Sequence, residues 1–142
     1  MSSFLSLSVS DVMSTDLVTV PSTATLAELR TLFDNYEFNG LPVVDDGQLV
    51  GWVTQFDLLG AFVFTSKSMI PPYDDILARR VDTIIATEPE VVAPDCPLSH
   101  ALQQMITSRH RSYPVLDARG DLVGIVARRD ILAGLRADIE SG

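Results

Sequence analysis

The sequence predicts an α/β (α+β) chain in which one β-α-β-β-α unit is used twice, and three observations carry that prediction. GWVTQFD at residues 51–57 returns as GIVARRD at residues 124–130, with Gly and Asp kept at its ends. Placing VSDVMSTDLVTV (9–20) over VDTIIATEPEVV (81–92) sets a register that aligns Leu26 with Leu98, Pro42 with Pro114, Val43 with Val115 and Asp45 with Asp117. One extra residue near Arg119 then shifts the offset, after which Gly47 meets Gly120, Leu49 meets Leu122, Gly51 meets Gly124 and Asp57 meets Asp130. Within each copy, short apolar runs bracket one stretch of helical periodicity, which is how a repeated supersecondary unit reads.

Each copy opens on a short β-like piece, Leu17 to Val20 and Glu90 to Val92. A helix follows, because Leu26, Leu29, Leu32, Phe33 and Tyr36, and then Leu98, Ala101, Leu102, Met105 and Ile106, recur at the spacing of one buried helical face. LPVVD with QLVGWVT, and YPVLD with DLVGIVA, are expected strand pairs joined by turns rich in Asp and Gly. A last helix is expected from about Phe56 to Phe64 and from about Arg129 to Arg136. Between the copies, Pro71 and Pro72 interrupt regular structure ahead of a short helix. The predicted organisation is therefore repeat one at 1–64, a linker with a short helix at 65–80, and repeat two at 81–142.

Bulk properties exclude several classes. With 142 residues and 46% hydrophobic content, the chain can fill one ordinary core or two small units sharing one. Acids outnumber bases 19 to 10, for a net charge of -9, the wrong sign for neutralising a phosphate backbone, so no nucleic-acid partner is expected. The single Cys96 can form no internal disulfide, and with only His100 and His110 beside it no metal site is expected. No nucleophile and base can be assembled either, so the chain is not expected to be an enzyme. The amino terminus lacks a basic region and a long apolar stretch, and LLGAFVF at 58–64 falls far short of the roughly 20 residues that span a bilayer. No membrane association is expected, and the cytoplasm is the expected compartment.

The repeated phrase needs a reason beyond packing. A strand ending near Thr54 and a helix beginning near Phe56 place Thr54 and Asp57 at a helix amino terminus, where free backbone N–H groups and the dipole favour an anion such as phosphate. Thr54 adds a hydroxyl, Gly51 leaves room for close approach, and an ionised Asp57 offers only acceptors, which suit a ribose diol. The alternative is structural, since Thr and Asp at these positions also make an ordinary helix cap.

Taken together, V-x-D-V-M, T-L-A-E-L, L-P-V-V-D and Q-L-V-G-W-V-T-Q-F-D, answered by V-D-T-I-I, P-L-S-H-A-L, Y-P-V-L-D and D-L-V-G-I-V-A-R-R-D, resemble the cystathionine-β-synthase (CBS) domain pair, or Bateman module. The resemblance covers roughly residues 9–62 and 81–135. It implies two CBS repeats packed through their sheets about a pseudo-twofold axis, two clefts between them, a homodimer of such modules, and AMP, ADP, ATP or S-adenosylmethionine as ligand. In the family motif the Asp takes the ribose and the Thr or Ser helps the phosphate. Carried over, the first cleft receives Asp57, Thr54, Trp52, Ile85, Thr87, His110, Arg111 and Ser112. The second receives Asp130, Ala127, Ile125, Arg128, Arg129, Met13, Val18, Phe38, Asn39 and Gly40. The apolar members also read as core, whereas Trp52 could stack on an adenine.

Charge separates the two clefts. Residues 1–62 contain one base, Arg30, and carry a net -7, while residues 81–142 contain six bases and carry -3. Cationic help for a phosphate must come mainly from the second copy or the linker. Arg109 and Arg111 alternate along the approach to a strand and are expected on one side; Arg128 and Arg129 are candidates to replace the hydroxyl missing at Ala127. The resulting expectation is a regulatory module that binds an adenosine-containing ligand and passes the event to dimer packing or to an effector protein the sequence does not identify. No cofactor is required, although Mg²⁺ can accompany a triphosphate. The competing expectation is a dimerising scaffold with empty clefts.

Overall fold

The structure, a computed structural model, describes residues 4–63 and 72–141. Phe64 and Pro71, expected above as a helix end and a breaker, lie outside the described residues. The elements are α1 (Val9–Val12), α2 (Leu26–Asn35), β1 (Gly40–Asp45), β2 (Gln48–Thr54), α3 (Gln55–Gly60), α4 (Tyr73–Leu77), α5 (Leu98–Ser108), β3 (Ser112–Leu116), β4 (Leu122–Ala127) and α6 (Arg128–Ser141), with short 3-10 turns at Phe4–Ser6 and Val81–Thr83. The fold is thus the expected mixture of helices and small sheets. It divides into two compact units, one of residues 18–89 and one of residues 1–17 with 90–142. Each unit consists mainly of one repeat together with the segment that leads into the other.

In the 18–89 unit, β1 and β2 pair antiparallel through the turn Asp46-Gly47. Both turn residues have positive φ, 50° and 78°, as the tight hairpin turn that matches strand twist requires. A bulge falls between Val43 and Val44. The expected opening strand is reduced to a single parallel bridge from Val20 to Val43, and Ala86 adds a single antiparallel bridge to Trp52 on the other edge. Leu41, Val43 and Val53 point into a core with Val20, Leu26, Leu29, Leu58, Ile76 and Val81. Burying a side chain of this size stabilises by about 1.5 to 3 kcal/mol. Helix α2 starts where Thr25 accepts a hydrogen bond from the Glu28 amide at 3.2 Å.

The other unit repeats this arrangement with a separate core of Val9, Val92, Leu98, Ala101, Met105, Tyr113, Val115, Val126 and Ile131. Strands β3 and β4 pair antiparallel, with a bulge between Val115 and Leu116. Val92 bridges Val115 and Ser14 bridges Ile125. The extra residue near Arg119 lies in the β3–β4 loop, where the Asp117 carboxylate accepts from the Arg119 and Asp121 amides. Tyr113 is buried, and its phenol lies 2.6 Å from the Ser108 hydroxyl. Burial pushes the Tyr113 phenol above its ordinary pKa.

Two expected core positions are corrected. Tyr36 is 44% exposed because it caps α2 in an extended conformation and stacks on Phe38 instead. Ile106 is 64% exposed. At about 100° per residue it sits some 80° around α5 from Leu98, on the far side of the half-buried Leu102.

Candidate ligand-binding junctions

Both repeated phrases form a strand that runs directly into a helix: β2 ends at Thr54 and α3 begins at Gln55, β4 ends at Ala127 and α6 begins at Arg128. At the first junction Thr54 and Asp57 make a reciprocal cap. The Asp57 amide donates to Thr54 Oγ1 at 3.0 Å, and the Thr54 amide donates to Asp57 Oδ2 at 2.9 Å. The capping alternative therefore holds, yet it consumes only part of each group. Thr54 accepts in this bond and keeps its hydroxyl proton to donate, while Asp57 Oδ1 has no hydrogen-bond partner among the described residues. Both side chains are half-buried, so these atoms remain reachable.

The glycine of the phrase has its own task. A Cβ on Gly51 would stand 2.8 Å from Ile85 Cδ1 and 2.9 Å from the Ala86 carbonyl oxygen. Its absence lets the 85–87 segment dock on β2, where Trp52 and Ala86 exchange two backbone hydrogen bonds of 3.1 Å. Ile85 and Thr87 are thereby held beside the edge of β2. Phe38, Asn39 and Gly40, assigned above to the second cleft, also lie against the first junction. The Gln55 amide donates to the Asn39 carbonyl at 3.0 Å, Gln55 Nε2 donates to the Phe38 carbonyl at 2.8 Å, and Gly40 underlies the Trp52 indole. Val18 is half-buried in the same unit, packed against its core.

The second junction keeps the acid and loses the hydroxyl. The Ala127 amide donates to Asp130 Oδ2 at 2.8 Å, but Ala127 has nothing with which to cap Asp130. Met13 and Ser14 occupy the place of Ile85 and Ala86: a Cβ on Gly124 would meet Met13 Sδ at 2.6 Å, and Ser14 exchanges backbone hydrogen bonds of 2.8 and 2.9 Å with Ile125. Ser14 also donates to Asp130 Oδ1 at 3.4 Å. Ser14 was absent from the candidate residues above. The repeat register sets Ser14 opposite Ala86, but no pattern within either copy brings it to Asp130.

Of the basic candidates, Arg128 and Arg129 are exposed at the first two positions of α6. The Arg128 amide donates to the Arg111 carbonyl at 3.1 Å, and Ser112 pairs with Ala127 across the strands. Arg109 needs correction: it ends α5 in the left-handed conformation, φ 61°, so it does not alternate with Arg111 along an extended approach. His110 packs edge-on against Tyr113, with Nε2 3.7 Å from the Glu90 carboxylate. His110, Arg111 and Ser112 thus belong to the unit of the second junction. A concavity of about 390 Å³ beside α5, lined by Glu90, His100, Gln103, Gln104, Thr107 and Ser108, includes no junction residue. Among the described residues no group of three or more His, Cys, Asp and Glu could hold a metal, and no helix is long and apolar enough to cross a membrane.

Both repeats thus carry the same strand-to-helix junction with an acid in the first helical turn, Asp57 in one and Asp130 in the other. The family model described as the CBS domain matches residues 9–63 and 81–137, and the chain belongs to that family. It is 28% identical over 135 residues to the CBS domain-containing protein YhcV of Bacillus subtilis, covering 95% of this chain and 90% of that one. It is 27% identical over 136 residues to the uncharacterized protein MJ0188 of Methanocaldococcus jannaschii, covering 96% of this chain. The chain spans about half or less of the length of several curated relatives it matches, 46% of MJ0188 and 13% of an A-adding tRNA nucleotidyltransferase of Geobacter sulfurreducens. Among solved structures, CBSX2 from Arabidopsis thaliana matches with a TM-score of 0.81 and 27% identity, covering 95% of this chain and 97% of that one. A complex of CBSX2 with AMP matches at 0.76 and 26%, covering 94% and 97%. The CBS domain pair of MJ0100, in complex with 5′-methylthioadenosine and S-adenosyl-L-methionine, matches at 0.74 and 25%, covering 89% and 98%.

Proposed function

We propose that this chain is a regulatory module that binds an adenosine-containing ligand at its two junctions and conveys occupancy to dimer packing or to a partner protein. Asp57 and Asp130 grip the ribose, Thr54 donates to a phosphate oxygen, and Trp52 borders the first site. The observation that carries this reading is the state of the first junction, where a capped helix start still presents a donating hydroxyl and an open carboxylate oxygen side by side. The relatives solved with AMP, and with 5′-methylthioadenosine and S-adenosyl-L-methionine, support the ligand class. Ligand binding can shift packing only through a difference in affinity between two states.

A dimerising scaffold with empty clefts is the second reading, favoured by Ala127, which leaves the cap of the second junction without a hydroxyl. One titration separates the two. Trp52 is the only tryptophan, so AMP, ATP and S-adenosylmethionine are added in turn while its emission and the melting temperature are followed. A saturable change with any of them supports the regulatory module; no change with all three supports the scaffold.

A further inference from the structure

We propose that Ser14 is the hydroxyl of the second junction, a positioning and specificity residue that holds Asp130 toward the sugar of a nucleoside; this rests on reading the junctions as adenosine sites. The two junctions differ by a reciprocal exchange. In the first, the hydroxyl is on the cap (Thr54) and the bridging residue is Ala86; in the second, the cap is Ala127 and the bridging residue is Ser14. One hydroxyl is kept per junction, but its place has moved from the helix start to the neighbouring bridge.

That move changes what the hydroxyl touches. Thr54 Oγ1 stands at the helix amino terminus, where a phosphate would be met. Ser14 Oγ instead lies 3.4 Å from Asp130 Oδ1, while the Ala127 amide occupies Oδ2 at 2.8 Å. Its position is built rather than incidental, because two backbone hydrogen bonds to Ile125 fix Ser14 and the missing Cβ of Gly124 admits Met13 and the Ser14 carbonyl at close range. A carboxylate oxygen has room for a second donor, and the serine oxygen itself accepts. Asp130 Oδ1 and Ser14 Oγ therefore offer adjacent acceptors to adjacent sugar hydroxyls, without contributing to a phosphate.

The test is calorimetric titration of AMP and of adenosine into the Asp57→Ala chain, so that the second junction alone is read. Ser14→Ala is expected to weaken AMP and adenosine by the same factor, on the order of tenfold for a hydrogen bond that includes a charged acceptor. Ser14→Thr, which keeps the hydroxyl, is expected to bind within about twofold of the parent, since the bond to the charged acceptor is retained. Should Asp57→Ala not fold, Ser14→Ala in the otherwise unchanged chain is expected to weaken one class of site and spare the other. Unaltered binding in Ser14→Ala, equal loss in Ser14→Ala and Ser14→Thr, or a loss confined to AMP would each overturn the role of Ser14 while leaving the adenosine sites standing. Absence of any AMP or adenosine binding to the unmodified chain would overturn both readings.

Discussion

The indole of Trp52 lies against Gly40 so closely that a Cβ at position 40 would stand 2.5 Å from Nε1 and 2.8 Å from Cε2. Gly40 opens β1 opposite Thr54, and Trp52 sits two residues before Thr54 on β2. The smallest residue available thus sets the attitude of the largest one beside the first junction.

Gly40→Ala must displace the indole. Overpacking of this kind typically costs about 1 to 3 kcal/mol. The variant is expected to lose stability in urea denaturation and to shift Trp52 emission in the folded state. An unchanged emission maximum and midpoint would show that the indole has room the geometry denies it.

Thr54 and Ala127 predict opposite effects of opposite substitutions. Thr54→Ala removes the oxygen that accepts from the Asp57 amide and is expected to destabilise by about 1 kcal/mol. Ala127→Thr supplies the missing cap to α6 and is expected to stabilise by up to about 1 kcal/mol. Thermal denaturation of the pair, compared with the parent, checks both signs.

Gly51 and Gly124 are expected to differ in tolerance. An alanine Cβ at 51 would press on the Ala86 carbonyl at 2.9 Å, whereas at 124 its closest neighbour is the flexible tip of Met13, with backbone no nearer than 3.1 Å. Gly51→Ala should therefore cost more than Gly124→Ala, with the larger loss at about 2 kcal/mol. Equal denaturation midpoints would contradict this ordering.

Asp45 links stability to acid. The Ser22 hydroxyl, and then the Ser22 amide at 3.0 Å, hold its carboxyl below the ordinary value of 3.8. A group whose folded pKa is depressed contributes stability that is present above the unfolded pKa and lost as pH falls through the folded one. Ser22→Ala is expected to reduce stability at neutral pH and to flatten its decline below pH 3.8. A parallel shift at every pH would assign the effect to packing instead.

How far the sequence disclosed this fold depended on the length scale of each signal. The hairpins, the helices α2 and α5 and both junctions were visible because period-2 and period-3.6 patterns and Asp-Gly turns are local. The opening strands expected at residues 17–20 and 90–92 shrink to one bridge each, at Val20 and Val92, because a short apolar run does not report how much of it pairs. Tyr36 and Ile106 look like core in one dimension, yet one has left its helix and the other lies past the edge of the buried face. The acid and the capping threonine could be read from a seven-residue phrase. Ser14 could not, since its contact with Asp130 spans 116 positions and depends on a segment from the start of the first repeat completing the sheet of the second. The reciprocal exchange of Ser14 for Ala86 and Ala127 for Thr54 was written in the repeat, but only pairing across the sheet gives it meaning.

The most direct measurement is a calorimetric titration of AMP into the unmodified chain, Asp57→Ala and Asp130→Ala, each first shown to be folded by its melting curve. Two saturable sites in the parent, with a different one abolished in each variant, is the expected result. AMP binding that is unaffected by either substitution, or no binding to the folded parent, would contradict the assignment of these carboxylates to the ligand.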